Sequence, residues 1–502
     1  MRNSSWLSFL AGLALVAAGP GALAQRKPDL EPRKGEGLVL LKVVSLGPIK
    51  WAAATLESKR GQPIDLYDYS DPFAAGAVYV DRVDEGEYDF VRLFKLGNMA
   101  GLLPALILAS ELEMRGRIPS FTVQGGSLTN LGTLVVLPPA EKGEPPQVVH
   151  LGGPAGRKSA LDDLERRVGR RVELPVAGGE MTAEAEKESI ARARGMVRIL
   201  SLGDDAQGSG MIGGGALGMI AARKPGGRWQ VETLDTLDDV RYARRLADGT
   251  LIAGLVQGRY AVRRPGAGWT LVALPQPDAV VTHVDPTPDG GALVVASTWK
   301  ATAVLHRASL DAAEAPLREV AAFDFPYALR PNPALSLDDR LMLIENPPGF
   351  SRVCEVTSID KKSLQVSKAK FDFWIRSWQQ LPTGEIVISR QNGMSYYTGV
   401  SSDKGATWQH NENEGPTQAR FIDRQLGYGI KGTPGAFSVD VRLMKTTDGG
   451  RTWAMLGQAT TRKVTGRIVF AGEGELILAS PYEMYTTRDE GATWSTVVLR
   501  AD

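Results

Sequence analysis

Basic residues recur at regular intervals through the second half of this 502-residue chain. Six arginines and one histidine form this column, at intervals of 43, 42, 47, 46, 44 and 47 residues: Arg198, Arg241, His283, Arg330, Arg376, Arg420 and Arg467. Lys and Arg make up only 58 of the 502 residues, so the column is strongly enriched in basic side chains. A guanidinium group stays charged and binds carboxylates or phosphates through paired hydrogen bonds. The column therefore predicts a positively charged site for an acidic ligand or an acidic protein surface.

A structural role also explains the column. The arginines can pair with acids of neighbouring repeats or stack on aromatic side chains. On the same face, the loops are expected to contribute a rim of aromatic and arginine residues: Arg259, Tyr260, Trp299, Phe350, Arg352 and Tyr482. Such residues are common in contact surfaces for proteins and glycans, but ordinary loop packing also accounts for them. Both interpretations stay open at the level of the sequence.

Catalytic and metal-binding motifs are scarce. The four histidines have no metal-ligand spacing, and the chain contains no H-E-x-x-H, paired C-x-x-C or G-x-S-x-G motif. Residues 152–159 (GGPAGRKS) come close to a phosphate-binding loop, but Arg157 interrupts its ending, so a linker is expected there. We therefore predict no catalytic residue, no metal and no cofactor.

Three copies of the pattern Ser/Thr-x-Asp-x-Gly-x-Thr-Trp indicate the elements that must position these side chains. The copies cover residues 401–408, 446–453 and 487–494, and their tryptophans lie 45 and 41 residues apart. The Asp suits the backbone N–H groups of a tight turn, the Gly suits a positive φ, and the Trp suits burial between sheets. The predicted structural residues are Asp403, Gly405, Trp408, Asp448, Gly450, Trp453, Asp489, Gly491 and Trp494.

A repeat of about 40 to 45 residues with turn chemistry and an aromatic anchor predicts an all-β chain ending in a β-propeller. Weaker copies, around Trp229, Trp269 and residues 309–311 and 358–360, extend the frame to seven blades of four strands over residues 196–502. The pattern resembles the Asp-box (BNR) repeat of the sialidase superfamily. Residues 415–502 resemble photosystem II stability/assembly factor-like proteins, which implies a seven-bladed propeller whose basic face engages a partner protein.

The sialidase resemblance implies an alternative function, a glycoside hydrolase acting on an acidic sugar. Such an enzyme needs an arginine cluster, a Tyr nucleophile with a neighbouring Glu, and an Asp acid/base. Tyr482, Glu483 and Asp239 are possible members, but no spacing singles them out. We therefore predict a non-catalytic binding or scaffold protein, with the hydrolase as the alternative.

The sequence of the first half of the chain predicts a secretory signal peptide, and therefore export, followed by two further regions. Residues 1–24 have the basic start, apolar core and A-x-A site of a secretory signal peptide, and a linker follows at 25–37. Alternating apolar residues predict a small β-sandwich-like domain at 38–139. Pro/Gly-rich sequence and then amphipathic segments predict a linker with helices at 140–195. The lone Cys354 has no disulfide partner in the chain and is expected to be buried.

The charge of the chain limits its partners. A formal net charge of +1 gives no general attraction to nucleic acid or anionic membranes. No run after the signal peptide is long enough to span a bilayer. We therefore expect a periplasmic or secreted monomer whose partner is an envelope or extracellular protein, or an acidic glycan.

Overall fold

The computed structural model describes residues 30–47, 51, 53–69, 75–95, 110–139, 144–178, 181–204, 210–224, 227–324, 334–345, 353–434, 439–458, 467–472, 474–479 and 484–500. The predicted signal peptide, residues 1–24, lies outside them. The chain divides into two compact units, Met1–Met196 with Thr236–Asp238, and Val197–Asp235 with Asp239–Asp502. Among the described residues, no helix combines the length and apolar character that crossing a membrane requires.

Within the described residues, the first unit is built from two sheets and two helices. In chain order its elements are β1 (Glu36–Ser45), β2 (Ala53–Ser58), β3 (Pro63–Tyr67), β4 (Gly76–Asp84), β5 (Gly86–Lys95), β6 (Ser110–Glu113), β7 (Phe121–Val123), β8 (Leu128–Leu137), β9 (Gln147–Leu151), α1 (Pro154–Val168), β10 (Val176–Gly178) and α2 (Ala183–Ala193). One sheet has the order β10-β8-β1-β4, with β9 also paired to β8. The other has the order β3-β2-β5-β6, with β7 paired to β5. Strand β8 runs parallel to β1 and β10, and the other pairs are antiparallel.

Strand β1 is buried on both faces. Leu41 shares a core cluster with Phe90 of the other sheet, and Leu40 shares a second cluster with Leu164 of α1. Burial on both faces is the reason that β1 reads as an almost continuous apolar run. Lys42 is tolerated at its centre because its Nζ lies 2.7 Å from the carboxylate of Asp163 on α1.

The segment 140–195, expected to be a linker with helices, also contributes strands to a sheet of the first unit. Strands β9 and β10 join the first sheet, and α1 already begins at Pro154, within the glycine-rich stretch. The carboxylate of Glu186 on α2 accepts hydrogen bonds from the N–H groups of Ala155 and Gly156, at 2.8 Å each. A carboxylate of the chain itself thus caps this helix. A Cβ on Gly156 would lie 1.9 Å from the carbonyl oxygen of Leu151, so this glycine serves close packing and not flexibility.

The second unit consists of four-stranded antiparallel sheets. Its strands are β11 (Ile199–Asp204), β12 (Met211–Gly215), β13 (Met219–Arg223), β14 (Trp229–Thr233), β15 (Val240–Arg245), β16 (Leu251–Leu255), β17 (Arg259–Arg263), β18 (Thr270–Ala273), β19 (Val280–Pro286), β20 (Ala292–Ser297), β21 (Thr302–Arg307), β22 (Leu317–Phe323), β23 (Ala334–Ser336), β24 (Arg340–Glu345), β25 (Cys354–Asp360), β26 (Val366–Phe371), β27 (Trp374–Gln380), β28 (Ile386–Asn392), β29 (Ser395–Ser401), β30 (Gln409–His410), β31 (Gln418–Phe421), β32 (Gly427–Pro434), β33 (Val439–Thr446), β34 (Ala454–Gln458), β35 (Arg467–Gly472), β36 (Glu475–Ala479), β37 (Met484–Thr487) and β38 (Ser495–Val497).

Each sheet of this unit is made from four consecutive strands paired in sequence order. The described residues form sheet 1 (β11–β14), sheet 2 (β15–β18), sheet 3 (β19–β22), sheet 4 (β23–β26), sheet 5 (β27–β30), sheet 6 (β31–β34) and sheet 7 (β35–β38). Apolar clusters lie between each pair of consecutive sheets. Every sheet thus comes from contiguous chain, as the sequence repeat predicts.

The first and last of these sheets are also in contact. The N–H of Val197 donates to the carbonyl oxygen of Leu499 at 3.0 Å. Arg223 of β13 pairs with Glu475 of β36 at 2.9 Å. A series of four-stranded meanders whose last member contacts the first is consistent with a β-propeller.

Candidate functional site

The three Asp-box turns share one set of hydrogen bonds. Asp448 accepts from the N–H and the hydroxyl of Thr452, at 2.9 and 2.6 Å, and the hydroxyl of Thr446 accepts from the N–H of Gly450 at 2.8 Å. The other two boxes repeat these bonds around Asp403 and Asp489. The box glycines all have positive φ: Gly405 90°, Gly450 84° and Gly491 91°. The box carboxylates are therefore occupied within their own turns.

The pKa of each box carboxyl is lowered to about 2. For Asp403 and Asp489 the largest cause is the hydroxyl of the box threonine, which donates to the carboxylate. For Asp448 partial burial acts in the opposite direction, but the bonds from Thr452 outweigh it. Hydrogen bonds to the charged form stabilise that form.

Each box tryptophan packs between its own sheet and the preceding one. The ring of Trp453 meets Phe421 with 5.9 Å between centroids and lies against a cluster that contains Val387 of sheet 5. Trp408 meets Phe371 of sheet 4 at 6.3 Å. Trp494 packs on the cluster shared by sheets 6 and 7. The boxes thus tie sheets 5, 6 and 7 to their neighbours.

A β-bulge in the first strand divides the basic column into different positions. The extra residue of the bulge is Leu200, Arg241, Thr282, Arg376 or Val469, in sheets 1, 2, 3, 5 and 7. A bulge leaves this residue without a cross-strand partner and changes where its side chain points. Of the seven predicted residues, Arg241 and Arg376 occupy it among the described strands.

The other members of the column lie elsewhere. Arg198 and Arg467 lie two residues before the bulge of their sheets, and His283 lies one residue after it. Arg420 pairs regularly with Tyr428 in sheet 6. Arg330 lies outside the described residues. A constant interval in sequence therefore does not select one position in the fold.

Arg241 is partly desolvated and makes no ion pair with a carboxylate in the described part of the chain. Burial lowers the pKa of its guanidinium, Asp239 opposes this effect, and the positive charge of Arg198 lowers the pKa further. The buried Asp239 accepts a hydrogen bond from the N–H of Leu217 at 3.3 Å. The carboxylate of Asp239 thus offsets part of the cost of burial and of the repulsion from Arg198, and the pKa of Arg241 stays lowered.

Arg376, at the equivalent position of sheet 5, is exposed and held in place. Its guanidinium carbon lies 4.9 Å from the centroid of Trp374, and its Nε donates to the side-chain oxygen of Gln391. It forms no ion pair within the described residues. The stacking agrees with the structural interpretation of the column, but the positive charge of Arg376 stays available.

The predicted rim is wrong for Tyr260. This side chain is 0% exposed, and its hydroxyl donates to the carbonyl oxygen of Leu310 at 2.8 Å within the core of sheets 2 and 3. Alternate residues of β17 face the neighbouring sheet, and burial there raises the pKa of the phenol. Arg259 and Trp299 are half-buried near the turns between second and third strands. Phe350, Arg352 and Tyr482 lie outside the described residues.

His283 belongs to a buried charged cluster that sequence reasoning missed. Asp285 of β19 pairs with Arg244 of β15 at 2.9 Å and with Lys361, after β25, at 3.0 Å. Ser336 of β23 donates to the same carboxylate at 2.8 Å. The sequence contains one sign of this cluster, the acidic Asp285 within a largely apolar strand. A buried carboxylate needs cationic or hydrogen-bonding partners, so such an acid predicts them.

Other chemistry finds little support in the described residues. No three or more His, Cys, Asp or Glu side chains among them are arranged to hold a metal ion. Of the residues considered for a hydrolase, Asp239 is buried and bonded to the backbone, and Tyr482 and Glu483 lie outside the described part. Cys354 is buried and forms no disulfide bond within the described residues.

These features are those of a β-propeller protein with arginine at a bulge of its first strands. No protein-family model and no curated protein matches the chain. The fold is similar to YCF48 bound to D1 peptide, with 12% identity over 58% of this chain and 90% of that chain and a TM-score of 0.39. It is also similar to virginiamycin B lyase from Staphylococcus aureus, with 13% identity, 58% and 94% coverage and a TM-score of 0.38. A third similar structure is oligogalacturonate lyase in complex with manganese, with 10% identity over 61% of this chain and 90% of that chain and a TM-score of 0.41.

A second structure of YCF48, from Cyanidioschyzon merolae, is similar with 12% identity and a TM-score of 0.37. Likenesses this distant assign no activity to the chain.

Proposed function

We propose that this chain is an exported, non-catalytic, seven-bladed β-propeller that binds an acidic ligand or protein partner through arginines of its first strands. The seven consecutive sheets of the second unit support the blade count, because each forms a complete four-stranded meander. The core shared by two sheets of the first unit supports a small β-sandwich-like domain. Export rests on the signal-peptide pattern of residues 1–24.

The observation that carries the binding proposal is that burial and Arg198 together outweigh the attraction of Asp239 at the charged form of Arg241. Burial and the neighbouring Arg198 make its charged form less favourable than in water, as the lowered pKa reflects. An anion bound there relieves this repulsion, so the site gains from ligand charge as well as from direct contact. A carboxylate or phosphate fits because the guanidinium offers parallel N–H donors.

Arg376 supports the same ligand charge at the equivalent position of another sheet. Trp374 and Gln391 hold its guanidinium in place. A side chain that is already held loses less conformational entropy when it binds. Because Arg376 is exposed, its field reaches acidic groups over about 10 Å at 0.1 M salt.

Binding of acidic probes to the purified full chain tests this proposal. The probes are a fluorescein-labelled oligoglutamate peptide and a labelled oligogalacturonate, followed by fluorescence anisotropy over a range of salt concentrations. We expect binding that weakens as salt increases. Arg241→Met should weaken binding of the probes about tenfold, which corresponds to about 1.4 kcal/mol. The separate variant Arg376→Met should weaken binding as well. Methionine keeps most of the aliphatic stem and removes only the charge.

The matched control is Arg264→Met. It makes the same charge change at an exposed ion pair, where Arg264 lies 2.6 Å from Asp311. Equal losses in all three variants would mean that the probes respond to net charge alone. No binding of either probe would contradict the proposal. An envelope protein recovered with the wild type, but not with Arg241→Met, would identify the partner.

A further inference from the structure

A buried imidazole nitrogen without a partner lies beside the cluster of Arg244, Asp285 and Lys361. His283 is 9% exposed, and its Nε2 makes no hydrogen bond with any residue that the structure describes. Its ring packs on that of Tyr242, with 4.6 Å between centroids. Nearly all buried polar atoms in proteins are hydrogen-bonded, so an open nitrogen here calls for a bound ion or water.

The charges around this nitrogen do not balance. The charged groups that act on His283 are one carboxylate, Asp285, and two cations, Arg244 and Lys361. Burial lowers the pKa of His283 to about 4, Asp285 opposes this, and both cations lower the pKa further. The imidazole is therefore neutral at pH 7 and brings no charge of its own. One positive charge of the cluster is left without a counter-charge among the described residues.

The hydrogen bonds show where this excess charge is available. Lys361 Nζ donates to the hydroxyl of Ser336 at 3.2 Å and to the carbonyl oxygen of Leu337, and it forms its ion pair with Asp285 at 3.0 Å. Arg244 directs one atom, Nη1, to both Asp285 and Ser336 and is 23% exposed. The guanidinium of Arg244 also hydrogen-bonds the hydroxyl of Tyr242, whose ring packs on His283. Its five N–H donors outnumber the partners Asp285, Ser336 and Tyr242, and its charge acts on His283.

We propose that Arg244 and His283 form a binding site for a small monovalent anion of halide size. The guanidinium and the neutral imidazole N–H donate to the ion, and its charge balances the cluster. The low exposure of Asp285 and Lys361, 1% and 6%, favours a small ion over a larger ligand. Because the cluster joins the first strands of sheets 2, 3 and 4, the bound ion stabilises the contacts between them. The site uses neither Arg241 nor Arg376 and does not depend on the proposed partner binding.

Bromide tests the site directly. Crystals of the full chain soaked in bromide should give an anomalous peak in contact with Arg244 and His283 Nε2. In solution, replacing gluconate by bromide at constant ionic strength should raise the Tm of the wild type in a saturable manner. His283→Phe keeps a ring against Tyr242, removes Nε2 and leaves the ion pairs of Asp285 intact. It should lose most of the bromide-dependent increase in Tm.

Arg264→Met is again the control, because it removes a positive charge outside the cluster and should keep the bromide effect. A water molecule, with no anomalous peak, beside His283 Nε2 in the soaked crystals would overturn the proposal. The same bromide-dependent increase in the wild type and in His283→Phe would overturn it as well.

Discussion

Sheets 5–7 and sheets 2–4 of the second unit are fastened to their neighbours in different ways. In sheets 5–7 the recurring fastening is an Asp-box, whose Asp accepts its hydrogen bonds within the eight residues and whose tryptophan packs on the preceding sheet. Asn411 and Asn413, after β30, add hydrogen bonds to the backbone of the second box. In sheets 2–4 the contacts join residues of different repeats, as in the cluster around Asp285. At the turn after β21, where a box would lie, Arg307 instead donates to the carbonyl oxygens of Ala312 and Ala313. Equivalent turns are thus stabilised by repeated local bonds in one region and by unrepeated contacts in the other.

The difference has an energetic consequence. The box carboxylates lie near water, so the loss of one box is partly compensated by solvent. Asp285 is almost completely buried between two cations, and its removal leaves both charges without compensation. We therefore expect single substitutions to be most damaging in sheets 2–4, although sheets 5–7 carry the recognisable motif.

Asp285→Ala should have the largest effect of the substitutions considered. It should lower the free energy of unfolding by about 3–5 kcal/mol, because Arg244 and Lys361 lose the carboxylate between them. Urea denaturation measures this change. The control is Asp311→Ala, which breaks an exposed pair with Arg264 and should cost less than about 1 kcal/mol. Equal, small losses would remove the distinction between the two regions.

Trp453→Ala should be the next most damaging. A fully buried aromatic costs about 3–5 kcal/mol when truncated, and the half-buried Trp453 should cost about 2 kcal/mol. Met455→Ala, on an exposed side chain two residues later, is the control and should change little. If urea denaturation gave similar values for both variants, the box tryptophan would not be the element that holds sheet 6 to sheet 5.

The sequence predicted the boxes well because everything that defines them is local. The donor, the acceptor and the glycine of positive φ all lie within one eight-residue stretch. The column of basic residues was predicted less well, since a bulge shifts the register and a fixed interval cannot locate it. Tyr260 was misplaced for a related reason: which face of β17 turns inward depends on the neighbouring sheet.

Long-range partners were beyond prediction. Arg244 and Asp285 are 41 residues apart and belong to different sheets. The segment 140–195 was misjudged in the same way, because its strands β9 and β10 pair with β8, a strand outside the segment.

Acid should affect the two regions in different pH ranges. The pKa of His283 is about 4 in the folded chain, below its ordinary value of about 6.5, so the associated stability is complete above about pH 6.5 and is lost as the pH falls through about 4. The pKa of the box carboxyls is about 2, below the ordinary value of about 3.9. Their contribution is therefore present above about pH 4 and is lost as the pH falls through about 2.

Thermal unfolding as a function of pH measures both ranges. His283→Phe should flatten the profile between about pH 6.5 and 4 only, and Asp448→Asn should reduce the slope between about pH 4 and 2 only. His150 and His410 also have lowered pKa values, caused mainly by burial, so the stability of His283→Phe will still depend on pH in this range. The pH profile of each variant is therefore compared with that of the wild type. An effect of Asp448→Asn in the upper range would contradict the assignment.

The smallest expected change in stability is at the place where we propose binding. Arg241 forms no ion pair among the described residues, and burial together with Arg198 outweighs the attraction of Asp239. Arg241→Met therefore removes a charge that its surroundings disfavour and keeps an apolar stem. The free energy of unfolding should stay the same or increase by less than about 1 kcal/mol, while binding of acidic probes falls. Urea denaturation beside the anisotropy assay measures both. A loss of stability close to that of Asp285→Ala would mean that Arg241 is needed by the fold. A residue that contributes to binding and not to folding can destabilise the unbound protein. For such a residue, substitution is expected to weaken binding while the free energy of unfolding stays equal or increases.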